Sequence, residues 1–368
     1  MTAANLPIGA VAAPVISEES RARGEALQRY LDEREAGVRV AGCARLSGGY
    51  ETYIYEVRFE AAEGATPVLP VDRPLILRIY HGPDVVARSG WENAVIARVR
   101  QDGIPAPEVF LYEPSLAPLG GSFLLLEFMR GKRMDEAALN AGPVAVIRMI
   151  RAFARAQAAV YRVQWPEAQA EARAPAAAGE LGPLAWSGDR LGAARREIMA
   201  RNLQPLLPIV DWLEENRRIV AGEPEVLIHG DFHPLNLFVD GTEICGIIDW
   251  GSGGFANRHE DIGWSSLLIG TVTSADPAED RRLAPFRTIA RKVYLGWLWK
   301  AAGVDREQLR YGEVYAGLRW MLIFLPTYLP NAGEPLLNPD AAAFTTPLYV
   351  RRVRRFIEQR TGLTLGIV

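Results

Sequence analysis

Three aspartates, an asparagine and two histidines lie close together in the stretch VLIHGDFHPLNLFVDGTEICGIIDWGSGG, residues 226–254. Asp231 and Asn236 are five residues apart, and Asp249 follows the short apolar run CGII. Carboxylate and amide oxygens are ligands that Mg²⁺ prefers, and phosphoryl transfer also needs a group that orients the attacking hydroxyl. The residue types and their spacing therefore favour Mg²⁺-dependent phosphoryl transfer.

The elements that must position these groups are short strands within an otherwise helical half of the chain. We predict strands at 236–240 and 244–248, joined by a turn at Asp240 and Gly241. Residues 166–183 are rich in Ala, Pro and Gly and are typical of a surface loop. The helical period is present in three further stretches, which are 142–163, about 190–220 and most of 277–325.

The first third of the chain has the pattern of an antiparallel sheet with few helices. A leading helix is predicted in ISEESRARGEALQRYLDEREAG, followed by a hairpin over residues 38–59. A helix is predicted in SGWENAVIARVRQDG, between the strands LILRIY, PAPEVFLYE and SFLLLEFM. The hydrophobic pattern changes from strand-like to helix-like between Met129 and Met134. We therefore expect an α+β protein of two lobes, 1–129 and 130–368.

Composition excludes several classes of function. The formal charge of −3 over 368 residues argues against a nucleic-acid partner, and the arginines of 351–355 fit the solvated face of an amphipathic helix. Two cysteines, each beside apolar residues, indicate neither a disulfide framework nor a zinc knuckle. The first twenty residues lack the features of a signal peptide and no run is long enough to span a membrane, so a cytoplasmic protein is expected.

The motif HGDFHPLN followed by IIDW resembles the catalytic loop and metal-binding segment of the aminoglycoside phosphotransferase family, small-molecule kinases with a protein-kinase-like fold. The resemblance extends over about residues 38–325. It implies that Asp231 is the catalytic aspartate and that Asn236 and Asp249 are Mg²⁺ ligands. His229 would hold the loop through backbone hydrogen bonds, and His233 would contact phosphate or the loop.

The same resemblance assigns nucleotide-binding roles in the first lobe. Arg78, in LILRIY, stands where protein kinases have a phosphate-binding lysine, and Glu92 is placed to be its ion-pair partner. Arginine also grips phosphate, although the simpler alternative is an arginine on the solvent face of a strand. Backbone groups of Glu127 and Met129 would bind the adenine edge. The turn SGGYET would approach the ATP phosphates through Ser47, Gly48, Gly49 and Tyr50.

One segment departs from the family pattern. GFANRHEDIGW has Asn257 and Arg258 where the family usually has Asp-Pro, so the resemblance does not predict the conformation of this turn. Asp261 matches the aspartate that follows and is expected to brace the catalytic loop as a buried acceptor or a helix cap.

Three other readings of the stretch 226–254 compete with a kinase. GDFH also resembles a metallophosphoesterase motif, but only His81 and His259 lie outside the stretch as further histidine ligands. A zinc site from His229, His233 and Cys245 has no element that would bring the three together. The remaining alternative is a kinase fold that binds nucleotide without turnover.

The expected cofactors are ATP, with GTP not excluded, and Mg²⁺, and the expected partner is a small molecule with a hydroxyl group. The chemistry of the acceptor stays open, and the oligomeric state is not predicted. Acidic residues that would suit a polycation are Glu260, Asp261, Asp276, Glu279 and Asp280, offset by Arg258, Arg281 and Arg282. Aromatic residues that would line an apolar acceptor pocket, or else belong to the core, are Trp297, Trp299, Trp320, Phe324 and Tyr328.

Overall fold

The first described part of the chain is a helix packed against an antiparallel sheet. The computed structural model describes residues 17–46, 52–82, 84–165, 189–271, 277–329 and 346–367. Helix α1, Glu18–Asp32, begins at Ser17, whose side chain accepts a hydrogen bond from the Ser20 N–H. Five strands follow, and each hydrogen-bonded pair among them is antiparallel. Their order in the sheet is β1 (Val38–Arg45), β2 (Thr52–Ala61), β3 (Leu75–Tyr80), β5 (Phe123–Glu127), β4 (Val109–Glu113).

Helix α2, Val85–Gln101, lies between β3 and β4 in the chain. The predicted hairpin over 38–59 is confirmed by the pairing of β1 with β2. Alternate residues of β3, Leu75, Leu77 and Ile79, are buried, as the strand period requires. The intervening Arg78 therefore points to the opposite face of the sheet, toward the rest of the chain.

Two small sheets carry the polar stretch of residues 226–254. Strand β7, Glu225–Ile228, pairs with β10, Gly254–Asn257. A short strand, β6 (Lys132–Arg133), pairs with β8 (Leu237–Asp240), which in turn pairs with β9 (Glu243–Ile247). The predicted hairpin is confirmed, but its tip is Gly241 and Thr242 because Asp240 still pairs with Glu243. Gly241 has φ +60°, the left-handed conformation that such a turn needs.

Helices form most of the remaining chain. The predicted helical stretches are confirmed, and helix α10 buries one face; Arg351 and Arg355 are exposed, whereas Arg352 and Arg354 are partly buried. Helix α7 was not predicted, because buried residues lie all around it and give no clear period. None of the helices in the described ranges combines the length and hydropathy that a bilayer crossing requires. The helices are α3 (Met134–Leu139), α4 (Pro143–Val160), α5 (Arg190–Ala200), α6 (Leu207–Glu215), α7 (Arg258–Thr271), α8 (Pro277–Ala302), α9 (Arg306–Phe324) and α10 (Pro347–Thr361).

Helices α7 and α9 approach each other closely at two glycines. A Cβ atom at Gly312 would overlap the backbone carbonyl of His259, and one at Gly263 would overlap the backbone of Gly312. Backbone atoms cannot move aside as a flexible side chain can. This contact therefore sets the distance between the two helices behind the stretch 226–254.

The substitution Gly312→Ala is expected to lower the free energy of unfolding by about 1–3 kcal/mol, because the added methyl group forces the two backbones apart. Urea unfolding monitored by circular dichroism measures this change. Gly296→Ala in α8 is the matched control, since Gly296 is exposed and a Cβ there meets nothing within 4 Å. The control should raise the stability by up to about 1 kcal/mol through helix propensity. Equal effects of the two substitutions would contradict the packing argument.

His259 and Asn257 close the turn that departs from the family pattern. The Asn257 side-chain oxygen accepts from the His259 backbone N–H at 2.8 Å and lies 2.9 Å from His259 Nδ1. His259 Nε2 accepts from the Asp305 backbone N–H at 3.2 Å. Asn257 therefore provides the acceptor at the start of α7. Burial and the nearby Arg258 lower the pKa of His259 to about 4.

The low pKa of His259 makes folding stability depend on pH. The unfolded chain binds a proton at His259 near pH 6.5 and the folded chain does not until about pH 4, so stability is lost as the pH falls through this interval. Between pH 7 and pH 5 this histidine should account for a loss of about 2 kcal/mol. Urea unfolding at both pH values should show a smaller loss for His259→Gln than for the wild type. Identical losses would show that His259 does not titrate in this way.

Candidate active site

Asp231 lies in the loop that follows β7, and hydrogen bonds reach both oxygens of its carboxylate. Trp264 Nε1 donates to Asp231 Oδ1 at 2.8 Å. Asn236 Nδ2 and His233 Nε2 each lie 3.2 Å from Asp231 Oδ2. Asn236 Nδ2 also donates to the Asp231 backbone carbonyl at 3.0 Å, which fixes the loop between the two residues.

The surroundings of Asp231 keep it ionised. Burial alone would raise the pKa of its carboxyl group, but the neighbouring His233, the Arg319 guanidinium and the Trp264 hydrogen bond hold that pKa well below its ordinary value. The negative charge of Asp231 in turn raises the pKa of His233 against the opposing effect of burial. Asp231 is therefore a carboxylate at neutral pH, able to accept a hydrogen bond from a hydroxyl group.

His229 holds the loop through the backbone, as predicted. Its ring is fully buried; Nδ1 accepts from the Asp231 N–H at 3.2 Å and Nε2 lies 3.0 Å from the Ile248 carbonyl. These two contacts specify a neutral ring with the proton on Nε2. Burial lowers the pKa of His229 and keeps the ring in this state. One buried imidazole thus joins the segment of Asp231 to the segment of Asp249.

Asp261 accepts hydrogen bonds from two elements, which confirms its predicted role as a buried acceptor. Oδ1 accepts from the Gly230 N–H at 2.8 Å. Oδ2 accepts from Gln157 Nε2 at 3.1 Å and from the Tyr161 hydroxyl at 3.0 Å. Asp261 lies in the first turn of α7, so it is not the cap of that helix. Gly230 has φ +79°, a conformation that favours glycine at this bend.

Arg78 joins the five-stranded sheet to the segment of Asp249. Its Nη1 lies 3.0 Å from Glu92 Oε1 and its Nη2 lies 2.7 Å from Asp249 Oδ1. Both side chains of the Arg78–Glu92 pair are buried, so the solvent-face alternative for Arg78 is excluded. Burial opposes the charge of Arg78, but Glu92 and Asp249 raise its pKa well above the ordinary value. The hydroxyl of Tyr80 donates to the second oxygen of Glu92.

Asp249 and Asn236 are neighbours with oxygen atoms suited to a divalent cation. The Ile248 N–H donates to the Asn236 carbonyl at 2.9 Å, which brings the two residues together across the β8–β9 hairpin. Asp249 has φ +67°, the left-handed conformation, and its side chain is 39% exposed. Asn236 uses its amide nitrogen toward Asp231, so its oxygen remains for a ligand. One carboxylate and one amide oxygen fit Mg²⁺ that is completed by phosphate oxygens and water.

Of the remaining predicted nucleotide contacts, the structure describes Glu127 and Met129. The Glu127 N–H donates to the Glu108 carbonyl at 2.8 Å, and its side chain accepts from the Glu108 N–H at 3.2 Å. That N–H is thus used by the Glu108 carbonyl. The Met129 side chain lies against Gly246 in β9. Ser47, Gly48, Gly49 and Tyr50 lie outside the described residues.

Among the candidate acceptor residues whose side chains the structure describes, Asp261 contacts the loop of Asp231 through the Gly230 N–H. Glu260 pairs with Arg190 at 2.6 Å, so its charge is neutralised. Trp320 is buried against Tyr349, and Trp299 is exposed beside Arg306. Trp297 and Phe324 are partly buried. Asp276 and the side chains of Glu279, Asp280, Arg282 and Tyr328 lie outside the described part of the chain.

Sequence reasoning missed three residues that contact the loop, Trp264, Ser265 and Arg319. Ser265 Oγ donates to the Phe232 carbonyl at 2.6 Å. Trp264, three residues after Asp261, donates to Asp231, and the Arg319 guanidinium lies 4.3 Å from the centre of the Trp264 ring. Arg319 Nη1 also donates to the Gly230 carbonyl at 2.5 Å. The spacing of three residues on a helix could have identified Trp264, because Asp261 was already expected to face the loop. No sequence signal identifies Arg319.

The rival metal sites lack available ligands. Both ring nitrogens of His229 are used by the backbone, and those of His259 contact Asn257 and Asp305. Cys245 Sγ lies 3.2 Å from the Arg130 carbonyl, so its contact is with the segment before β6 and not with the Asp231 loop. Among the residues that the structure describes, no three His, Cys, Asp or Glu side chains are grouped to hold a metal. The donor set favours Mg²⁺ with phosphate over zinc or a two-metal centre.

A sequence model of the APH phosphotransferase enzyme family matches residues 42–294. The chain belongs to the phosphotransferase enzyme family. The family assignment confirms the predicted resemblance. The catalytic-loop motif and the segment of Asp249 both lie within the matched region.

Two curated proteins share part of this sequence. The aminoglycoside 3'-phosphotransferase of Niallia circulans is 35% identical over 89 residues, which are 24% of this chain and 29% of that protein. The Arabidopsis thaliana protein named "Probable acyl-CoA dehydrogenase IBR3" is 28% identical over 175 residues, 45% of this chain and 20% of that protein. The chain thus spans less than a third of the length of either relative.

Solved structures share the whole fold. The spectinomycin phosphotransferase APH(9)-Ia, solved with ADP and spectinomycin, has a TM-score of 0.58 at 14% sequence identity. The similarity covers 92% of this chain and 98% of that protein. It confirms the predicted α+β, protein-kinase-like fold, with a small antiparallel sheet followed by a larger helical part.

The double ion pair of Arg78 predicts an unequal response to two conservative substitutions. Arg78→Lys should lower the free energy of unfolding by about 1–3 kcal/mol, because an ammonium group cannot fork between Glu92 and Asp249. Arg39→Lys is the matched control, since the Arg39–Glu60 pair is exposed and should be worth well under about 1 kcal/mol. Chemical denaturation of both variants measures the difference. A loss for Arg78→Lys no larger than that of the control would contradict the role of the buried bridge.

Proposed function

We propose that this protein is a small-molecule kinase that transfers the γ-phosphoryl group of Mg²⁺-bound ATP to a hydroxyl group. One observation supports the proposal: hydrogen bonds and ion pairs bring together Asp231, Asn236, Asp249 and Arg78. The Asn236 side chain donates to the Asp231 carbonyl, and the Asn236 carbonyl accepts from the Ile248 N–H, next to Asp249. Arg78, which pairs with Glu92, binds Asp249 from strand β3. Phosphoryl transfer needs a group that orients the hydroxyl, ligands for a divalent cation and a cation for phosphate. These residues supply each of them.

Asp231 is the proposed catalytic residue. As a carboxylate it accepts a hydrogen bond from the acceptor hydroxyl and aligns that oxygen with the γ-phosphorus. The hydroxyl proton passes to Asp231 Oδ1 or Oδ2 as the new P–O bond forms and the bond to the leaving ADP breaks. Asn236 and Asp249 hold Mg²⁺, which neutralises phosphate charge when it is bound. His233, whose Nδ1 has no partner among the described residues, is proposed to contact phosphate or the loop.

ATP is proposed to lie between the lobe of residues 1–129 and the lobe of residues 130–368. In support, the Arg78–Asp249 ion pair crosses between these parts, and the related spectinomycin phosphotransferase was solved with ADP. The turn Ser47–Tyr50 would meet the phosphates, and the backbone of Glu127 and Met129 would meet the base. The residues that we assign do not distinguish ATP from GTP.

The acceptor is proposed to be a hydroxylated small molecule that approaches Asp231 over the helical lobe. Spectinomycin is the partner in one related structure, and an aminoglycoside is named for one curated relative. The pairing of Glu260 with Arg190 removes one of the acidic groups that would favour a polycation. The acceptor class therefore extends beyond aminoglycosides to macrolides, amino alcohols and sugars.

The substitution Asp231→Asn is expected to reduce turnover by about 10²–10⁴-fold, because the amide cannot accept the hydroxyl proton. A coupled assay of ADP release, run with aminoglycosides, macrolides, amino alcohols and sugars, first identifies an acceptor for the wild type and then measures the variant. Thermal stabilisation by Mg²⁺-ATP should be retained in Asp231→Asn. Turnover at the wild-type rate would exclude Asp231, and a wild type that neither releases ADP nor is stabilised by Mg²⁺-ATP would exclude the kinase.

A further inference from the structure

The indole of Trp264 is the direct hydrogen-bond partner of the proposed catalytic carboxylate from outside its own loop. Trp264 lies on α7 and is 5% exposed, and its Nε1 donates to Asp231 Oδ1 at 2.8 Å. The other donors to this carboxylate, Asn236 and His233, belong to the loop itself and lie near Oδ2. The loop donors bind one oxygen of the carboxylate and the indole binds the other, so together they restrict its rotation about the Cβ–Cγ bond.

Arg319 holds the indole in place. Its guanidinium lies over the Trp264 ring at 4.3 Å, and it donates to the Gly230 carbonyl at 2.5 Å. Arg319 is 6% exposed and belongs to α9, whereas Trp264 belongs to α7. Burial raises the pKa of the Asp231 carboxyl group, and the positive charge of Arg319, together with the nearby His233, lowers it. Arg319 thus contacts both the backbone of Gly230, the residue before Asp231, and the Trp264 ring that binds the Asp231 side chain.

Both residues are distant in the chain from the proposed metal ligands. Trp264 makes its hydrogen bond to Asp231 and the ring contact with Arg319, whereas Asp249 is bound by Arg78. A change at Trp264 acts directly on Asp231 Oδ1 and reaches the proposed metal ligand Asn236 only through the Asp231 carboxylate, so its main effect should fall on kcat. A residue that served only the core would affect kcat and ATP binding together, through the stability of the fold.

We propose that Trp264 is a positioning residue for phosphoryl transfer: its indole N–H, held by the stacked Arg319, fixes the Asp231 carboxylate in the orientation that receives the acceptor hydroxyl. This inference rests on the proposed function and adds to it a requirement for an N–H donor on α7. An aromatic ring without that donor fills the same space but leaves the carboxylate unfixed.

The test compares three full-length variants by steady-state kinetics with the acceptor found for the wild type. Trp264→Phe removes the donor, and incorporation of benzothienylalanine at position 264 replaces the N–H by sulfur with almost no change of shape. Trp320→Phe is the matched control, because Trp320 is a buried tryptophan of the adjacent helix that packs against Phe324 and Tyr349.

The two donor-free variants are expected to lose about tenfold to a hundredfold in kcat, the range that one hydrogen bond to a charged group supports, with KM for ATP unchanged within about twofold. The control should keep its kcat. Wild-type kcat in the benzothienylalanine protein would overturn the proposal, even if Trp264→Phe failed to fold. An equal loss of kcat in Trp320→Phe would also overturn it.

A second measurement does not require turnover. In protein labelled with ¹⁵N-tryptophan, the Trp264 indole signal is identified by its absence from Trp264→Phe. Asp231→Asn should shift that signal and leave the Trp320 signal in place, because only the former indole binds the carboxylate. An unmoved Trp264 signal would overturn the proposal. A wild type without any turnover would count against the proposed function alone, and the indole signal would then decide whether Trp264 binds Asp231.

Discussion

The buried charge of Arg78 is the constraint on which the arrangement of the site depends. A guanidinium removed from water is stable only when carboxylates surround it, and Arg78 has one from helix α2 and one from the segment after β9. Glu92 is itself almost fully buried and needs Arg78 and the Tyr80 hydroxyl in return. Strand β3, helix α2 and Asp249 are therefore held relative to one another by the Arg78 guanidinium, which binds the buried Glu92 on one side and the partly exposed Asp249 on the other.

The loop of Asp231 is fixed by the same principle, with hydrogen bonds in place of ion pairs. His229 binds a backbone donor on one side and a backbone acceptor on the other, and Asp261 binds the Gly230 N–H. Because buried polar groups are normally paired, these side chains restrict where the backbone groups of Gly230, Asp231 and Ile248 can lie. The polar residues of 226–254 therefore have two roles. His229 holds the backbone of the loop, and Asp231, Asn236 and Asp249 are the groups proposed to act in the reaction.

The sequence allowed prediction of this half of the site because its residues are adjacent in the chain. The HGDFHPLN motif, the β8–β9 hairpin and the pairing of Arg78 with Glu92 all follow from local patterns or from the order of motifs. Trp264 and Arg319 reach the loop from helices 33 residues and more away: only the spacing of Trp264 from Asp261 on α7 offers a sequence signal, and Arg319 has none. Helix α7 was missed for a related reason: it is buried on all sides, and an amphipathic period exists only where one face meets water. The acceptor residues were the least predictable, since fold and phosphate chemistry do not encode them.

Asp249 and Asn236 are proposed to hold the metal of a Mg²⁺-ATP complex. Calorimetric titration of ATP into the wild type and into Asp249→Asn, each with Mg²⁺ and with EDTA, measures this role. Asp240→Asn, at an exposed aspartate of the same hairpin, serves as the control. Mg²⁺ should strengthen ATP binding to the wild type and the control, and this gain should fall at least about tenfold in Asp249→Asn. Equal, Mg²⁺-dependent affinity in all three proteins would show that Asp249 is not a ligand of the metal.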